Sequence, residues 1–332
     1  MSAVWTTVIT NIKMKLRREK VHSCLVTVFC LAYNHEKYIR KTLEGFVKQK
    51  TSFKFKVLVH DDASTDGTQD IIKEYAEKYP DIFECILQDE NKYQKGIDIE
   101  FEYVIPKLDG KYVAVCEGDD YWTDPNKLQL QVDYMEKHPD CTLCVHDTEK
   151  MFEDGKSTGT TFNTSRKEKD YSFEDIVLSE PSAYFHFSSF MWRNDTLRKK
   201  NTAFTMNGIG DYPMALYFSS IGYIHYIPRV MTKYRLNAVG SWSSAMNADN
   251  KKRIGQHNNI IAGFKTIDEY TKHKYSPVIK KAIAREKAKI MVMEKDYGSL
   301  VRSPECIAAL CRTMTHKTFR KVHEKIQAVR GR

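Results

Sequence analysis

Three carboxylates fall within four residues at Glu117-Gly118-Asp119-Asp120, straight after the apolar run Ala114-Val115-Cys116 and straight before Tyr121-Trp122. Burying unpaired carboxylates is costly, so a cluster at the end of an apolar run either faces water or holds a cation. Mg²⁺ and Mn²⁺ are hard ions that take oxygen ligands and often share them with substrate phosphates. The stretch is therefore a candidate metal and diphosphate site; the plain alternative is a solvated acidic turn. Two more polar endings resemble it. The apolar run from Val26 stops at Tyr33-Asn34-His35, and a second run stops at His60-Asp61-Asp62-Ala63-Ser64-Thr65-Asp66-Gly67-Thr68.

The elements that must carry these endings can be read from periodicity. Residues 26–33 are a buried strand by composition and length, and 36–49 place Tyr38, Ile39, Leu43, Phe46 and Val47 at helical spacing. A second strand over 53–59 leads through the Asp- and Thr-rich turn into a helix that ends at Pro80. A third strand covers 83–87, a short helix 97–108 and a fourth strand 112–116, which delivers the acidic cluster. Asp124-Pro125 opens a helix to about His138, with proline at its first position, and a fifth strand follows over 141–146. Such strand–helix alternation with short loops predicts an α/β fold, a doubly wound and mostly parallel sheet. Ligands of such sheets sit beyond the carboxyl ends of the strands. Tyr33-Asn34, Asp61-Asp62 and Glu117 to Asp120 are three of those ends and should meet in one crevice.

The second half is less regular. Residues 147–170 read as a polar loop or hairpin, 171–178 as a short helix and 186–192 as a strand. Gly208-Ile209-Gly210-Asp211 opens a helix over 212–220, and 223–234 is strand-rich. From about 247 the pattern is helical and increasingly basic, with breaks at Ser276-Pro277 and Ser303-Pro304. The expected division is a lead-in over 1–22, a catalytic domain over 23–245 and a basic helical region over 246–332.

A chain of 332 residues, 42% hydrophobic and 12% aromatic, can bury a large core, and a +9 charge concentrated at its two ends suggests an anionic partner. The eight cysteines lie mainly in apolar runs and read as small buried hydrophobes of a reducing compartment. No run of about 18 apolar residues occurs, and the first ten residues lack the features of a signal peptide. A cytoplasmic protein is expected, with its basic end resting on the anionic inner face of the plasma membrane. No GxGxxG follows a strand, which excludes the dinucleotide oxidoreductases, and no nucleic-acid motif accompanies the basic ends.

Taken in order, Tyr33-Asn34, Val59-His60-Asp61-Asp62-Ala63-Ser64, Glu117-Gly118-Asp119-Asp120, Gly210-Asp211 and Tyr234-Arg235 resemble the motifs of family 2 glycosyltransferases, inverting enzymes of the GT-A fold. The likeness spans roughly 24–245 and is nearest to bacterial members that build capsule, lipopolysaccharide and other surface glycans. By that resemblance Tyr33, flanked by Ala32 and Asn34, stacks on the nucleotide base, and Asp62 accepts a base N–H. Asp120 is the main ligand of Mn²⁺ or Mg²⁺, in a motif of DxD type. Asp119 contacts the ribose or the metal, Arg235 closes over the diphosphate, and Asp211 is the catalytic base. The sequence departs from the family pattern at Glu117, where an Asp is common, and at Gly210, where a Glu is common.

The chemistry calls for these residue types. Glycosyl transfer passes through an oxocarbenium-like transition state, and a bound divalent cation stabilises the negative charge of a departing diphosphate. An arginine grips the same anion with parallel donors. A base that takes the proton of the attacking hydroxyl contributes roughly 10²–10⁴ in rate. Trp122 and His186 are candidates for contact with sugar or acceptor. The implied partners are a nucleotide-diphospho-sugar donor, with UDP favoured, and a glycan or polyprenyl-diphosphate-linked acceptor. The non-enzymatic rival is a nucleotide- or glycan-binding protein on the same scaffold.

Overall fold

The computed structural model describes residues 23–179, 185–196, 211–238 and 249–313. The lead-in over 1–22 and the last basic stretch lie outside the described residues.

Ten strands among the described residues form one sheet. β1 (Val26–Ala32), β2 (Phe55–Asp61), β3 (Phe83–Leu87) and β4 (Tyr112–Val115) are parallel neighbours in the order β3-β2-β1-β4. This is the half that the apolar runs predict. The other half is mixed. β9 (Met191–Arg193) runs antiparallel between β4 and β6 (Cys141–Met151), and β10 (Tyr223–Arg235) lies parallel to β6. Short strands β5 (Tyr121–Trp122), β7 (Ser157–Thr161) and β8 (Lys169–Tyr171) add antiparallel to β10, β6 and β10.

The polar stretch after His146 forms the hairpin allowed for it, as β6 continues to Met151 and turns back as β7. Two expectations need correction. The stretch 97–108 is a π turn over Glu100–Val104 and a 3₁₀ turn over Ile105–Lys107, since Pro106 has no N–H for an α-helical ladder. Residues 186–192 split into a 3₁₀ turn, Phe187–Ser189, and the short β9.

Alternation along the strands feeds two apolar layers. Val26, Val28, Cys30 and Ala32 face helices Ile39–Val47, Thr68–Lys78 and Lys127–Lys137 through Leu43, Phe46, Ile72, Leu128 and Met135. Phe29, Val113, Val115, Leu143 and Trp192 face the other way, against helix Asp211–Ile221 and the two long helices Asn250–Tyr270 and Ser276–Met293. Ile260, Phe264, Ile279 and Ala282 belong to this second layer, so described helices after residue 249 share it with the strands. A smaller cluster of Ala288, Leu300, Cys306 and Leu310 ends the described chain. All eight cysteines are free; six are buried, Cys85 is half-buried and Cys311 is exposed.

Candidate functional site

The carboxyl ends of β1, β2 and β4 come together. Ala32 pairs with Asp61, and the Asp62 N–H donates to the Ala32 carbonyl at 3.1 Å. Both chains then turn through left-handed backbone, at Asn34 (φ 55°) and Ala63 (φ 61°). The Asn34 N–H donates to Ser64 Oγ at 2.8 Å, and Asn34 Oδ1 accepts from the Thr65 N–H at 2.8 Å. Asn34 is thus a splice between two strand ends.

The two adjacent aspartates divide their work. Asp61 is fully buried and accepts from the Ser64 N–H, the Ser64 hydroxyl and Gln69 Nε2, so its carboxylate holds the turn. Asp62 accepts one backbone N–H on each oxygen, from Lys92 at 2.8 Å and Tyr93 at 3.0 Å. A carboxylate oxygen accepts more than one hydrogen bond, so Asp62 keeps capacity for a further donor. Tyr33 (38% exposed), next to the β1 end, and Tyr93 (66% exposed), whose N–H reaches Asp62, are both exposed.

The acidic motif is pinned to β1. The Gly118 N–H donates to the Leu31 carbonyl at 2.9 Å, and Thr42 Oγ1 donates to the Gly118 carbonyl at 3.0 Å. A Cβ on Gly118 would lie 2.6 Å from His35 Nδ1, so only glycine fits there. Asp120 is 1% exposed, accepting from Ser188 Oγ at 2.9 Å on one oxygen and from the Arg235 backbone N–H at 3.0 Å on the other. Burial, with the charges of Asp119 and Glu117 added, pushes its carboxyl well above the usual range. His186 Nδ1 stands 3.5 Å from the same carboxylate. Burial, with the Lys150 charge, lowers His186 to about 3, so the imidazole is neutral.

Ligand atoms of Glu117, Asp120 and His186 all lie within 4.8 Å of one another. Two carboxylates and a neutral imidazole suit a divalent ion of the Mn²⁺ or Mg²⁺ kind. Asp120 is also a buried acid that a cation would relieve. These residues therefore fit the implied metal. Asp119 stands outside this group of three.

Other anticipated residues are placed differently. Trp122 is 3% exposed and donates Nε1–H to the Ser188 carbonyl at 3.0 Å. Its ring meets Phe46 edge-on at 4.8 Å and carries the Lys127 ammonium at 4.1 Å. No ring face is left for a sugar, which corrects the expectation for Trp122. Arg235 is buried, with Nε donating to the Asp119 carbonyl at 3.2 Å and Nη1 to the Glu153 carbonyl at 2.6 Å. Its guanidinium, over the Tyr38 ring at 4.4 Å, joins the acidic loop to the β6–β7 turn. Asp211 opens helix Asp211–Ile221 as its glycine-rich approach implies, but its side chain lies outside the described residues. Ala32 contributes its carbonyl to the strand splice.

Sequence reasoning did not mark Ser188, Tyr93, Lys127 or Lys150. Lys150 pairs with Tyr234 across β6 and β10, and its ammonium lies over the Phe162 ring at 4.5 Å, beside the His186–Tyr234 ring pair (4.3 Å). The available signal for Ser188 was a polar Ser-Ser pair inside the aromatic run 185–192.

A four-strand parallel half with a mixed second half and acids at the strand ends is the GT-A architecture of nucleotide-sugar transferases. The chain belongs to glycosyl transferase family 2, whose pattern matches residues 27–200. It is 35% identical over 224 residues to the uncharacterized protein Rv1520 of Mycobacterium tuberculosis, covering 66% of this chain and only 61% of that protein's length. It is 25% identical over 245 residues to the Escherichia coli UDP-Glc:alpha-D-GlcNAc-diphosphoundecaprenol beta-1,3-glucosyltransferase WfaP, covering 71% of this chain and 85% of that protein. Its fold matches that of the mannosyltransferase PcManGT from Pyrobaculum calidifontis in complex with GDP-Man and Mn²⁺. The TM-score there is 0.56 at 17% identity, over 98% of this chain and 92% of that one. No helix among the described residues is long and apolar enough to cross a membrane.

Proposed function

We propose that this chain is a metal-dependent inverting glycosyltransferase. It moves a sugar from a nucleotide-diphosphate donor, a UDP-sugar, to a hydroxyl of a glycan or polyprenyl-diphosphate-linked acceptor in surface polysaccharide synthesis. The observation that carries this reading is the meeting of Glu117, Asp120 and His186 beside the β1 and β2 ends that bear Tyr33 and Asp62. A base stacked on Tyr33 would place an N–H within reach of Asp62, with Asn34 and the Ala32 carbonyl fixing the two loops. Asp119 then faces the ribose. Glu117, Asp120 and His186 would hold Mn²⁺ or Mg²⁺, and the bound ion supplies positive charge to the diphosphate oxygens. Arg235 adds order to the loop rather than a direct grip.

In the transfer, the acceptor oxygen bonds to the anomeric carbon as the bond from that carbon to the phosphate oxygen breaks. The electron pair leaves with the nucleoside diphosphate, and the acceptor proton goes to Asp211. Attack opposite the leaving group inverts the anomeric centre. The relatives' names support a sugar-nucleotide donor and, for WfaP, a diphosphoundecaprenol-linked acceptor.

Calorimetric titration with UDP, GDP and CDP, with and without Mn²⁺, tests the reading beside Asp120→Ala. The expected result is metal-dependent binding of one nucleotide, weakened at least 100-fold in the variant. A folded protein that binds no nucleotide under either condition would sink it.

A further inference from the structure

We propose that Ser188 is a positioning residue that sets the acidic and imidazole members of the cation site relative to each other, held in place by Trp122 and Gln131. The inference rests on the reading of Glu117, Asp120 and His186 as cation ligands.

One residue touches every side of the problem. The Ser188 hydroxyl donates to Asp120 Oδ2 at 2.9 Å, and the Ser188 N–H donates to His186 Nδ1 at 3.3 Å. Its carbonyl accepts from Trp122 Nε1 at 3.0 Å. A serine hydroxyl has a single proton to give, so its donation to Asp120 fixes both the rotor and the carboxylate. The N–H contact fixes the imidazole tautomer: Nδ1, the nitrogen nearest Asp120, is the acceptor, and the proton sits on Nε2. That contact uses the Nδ1 lone pair, so a cation bound at Nδ1 would take it over from the Ser188 N–H, and the turn holds the ring where that exchange can occur. Both effects come from a tight turn whose position leaves no slack. Ser188 and Ser189 are fully buried, and the Ser189 hydroxyl and N–H both close on the His186 carbonyl, at 2.6 and 2.9 Å.

The turn is anchored from behind. Gln131 Nε2 donates to the Ser189 carbonyl at 2.9 Å and to the Cys144 carbonyl at 2.8 Å, joining the turn to β6. Gln131 Oε1 in turn accepts from the buried Lys127 ammonium at 2.8 Å. Trp122 reaches the same turn from the far end of the acidic motif, two residues beyond Asp120. The acids and the imidazole belong to distant segments that β9 and β10 bring together, and Ser188 is one place where the two are tied. Groups that orient metal ligands from outside typically change metal affinity 10–100-fold when removed.

Ser188→Ala isolates the hydroxyl, because the backbone contacts to His186 and Trp122 remain. Titration of the full chain with Mn²⁺ alone, followed by calorimetry, should show affinity reduced 10–100-fold. Ser188→Cys, which keeps a weak donor, should recover part of the loss. Gln131→Met, which touches no ligand, should weaken Mn²⁺ in the same direction. Wild-type Mn²⁺ binding that Asp120→Ala abolishes and Ser188→Ala leaves within twofold would overturn this inference alone. A wild-type chain that binds no Mn²⁺ would overturn the cation site as well. If Ser188→Ala fails to fold, Ser188→Cys at wild-type affinity with Gln131→Met also unchanged gives the same refutation.

Discussion

Replacing Lys127 with methionine should make the protein more stable, and the gain should fade as pH rises. Lys127 is fully buried, and burial lowers its ammonium from the ordinary 10.5 to about 7. The titratable groups around it are the Cys116 and Cys144 thiols and the His146 imidazole, none of which is an acid ionised near neutrality. The folded chain therefore holds this proton less tightly than the unfolded chain. Below about pH 7 both states are protonated and the full cost is present; between 7 and 10.5 the folded amine is already neutral and the cost shrinks. At about 1.4 kcal/mol per pKa unit, the penalty is roughly 5 kcal/mol at pH 6 and roughly 2 kcal/mol at pH 9. The substitution gives up the Trp122 ring contact, worth about 2 kcal/mol, and strips Gln131 of a donor at about 1 kcal/mol. The net gain at pH 6 is then roughly 2 kcal/mol, and it should fall by roughly 2–3 kcal/mol by pH 9. Urea unfolding of wild type and Lys127→Met at both pH values measures this difference directly. A stability difference that does not change with pH would refute the claim that Lys127 is buried as a strained cation. Because the same ammonium props Gln131, the more stable variant should also lose transferase activity, a trade known where function needs a costly group.

The buried acid of the C-terminal helices should behave in the opposite sense. Burial opposes the ionisation of Glu286, yet the His257 hydrogen bond (2.7 Å) and the Lys289 and Arg285 charges hold it at about 2. Its stabilisation is present above about pH 4.5 and is lost as pH falls toward 2. Glu286→Gln should cost roughly 3–5 kcal/mol at pH 7, since it removes the carboxylate charge beside the buried Arg285 guanidinium; in urea melts the deficit should disappear near pH 2–3, and a deficit that stays constant down to pH 2 would count against it. The basic residues after 313 are the expected contact with an anionic membrane that carries a lipid-linked acceptor. Deleting residues 314–332, which spares the packed Cys306 and Leu310, should abolish co-sedimentation with anionic vesicles at low salt; unchanged partitioning would remove the membrane from the proposal.

What the sequence discloses here depends on how local the cause is. β1, β2 and β4 are legible because each is an apolar run that ends in polar residues, and parallel pairing places such ends side by side. The same logic locates Asn34, Asp62 and Asp120. Trp122 misleads because an aromatic beside acids reads as a sugar platform, whereas the two-residue β5 turns it into the core above Gly45. Lys127 goes unmarked because a lysine in the first turn of a helix is usually solvated. Its i, i+4 partner Gln131 and its neighbours Leu128, Val132 and Met135 do mark the buried face, and that pattern was open to reading.

His186 was marked for the acceptor side, and its place beside Asp120 was out of reach for a deeper reason. Its place beside Asp120 is set by an antiparallel strand of three residues, Met191–Arg193, that slips between β4 and β6. Nothing in its own pattern announces a partner, since Trp192 pairs with Val113 on one side and Leu143 on the other through backbone that any apolar residue could supply. Yet that insertion decides the chemistry. It carries the 187–189 turn across the ends of the parallel strands, so the proposed cation ligands, which local sequence supplies as carboxylates alone, become a mixed oxygen and nitrogen set. A site assembled in this way is only as well ordered as the joint between its halves. In this chain the joint is the backbone and hydroxyl of Ser188, braced by an indole and an amide that the catalytic motifs do not include.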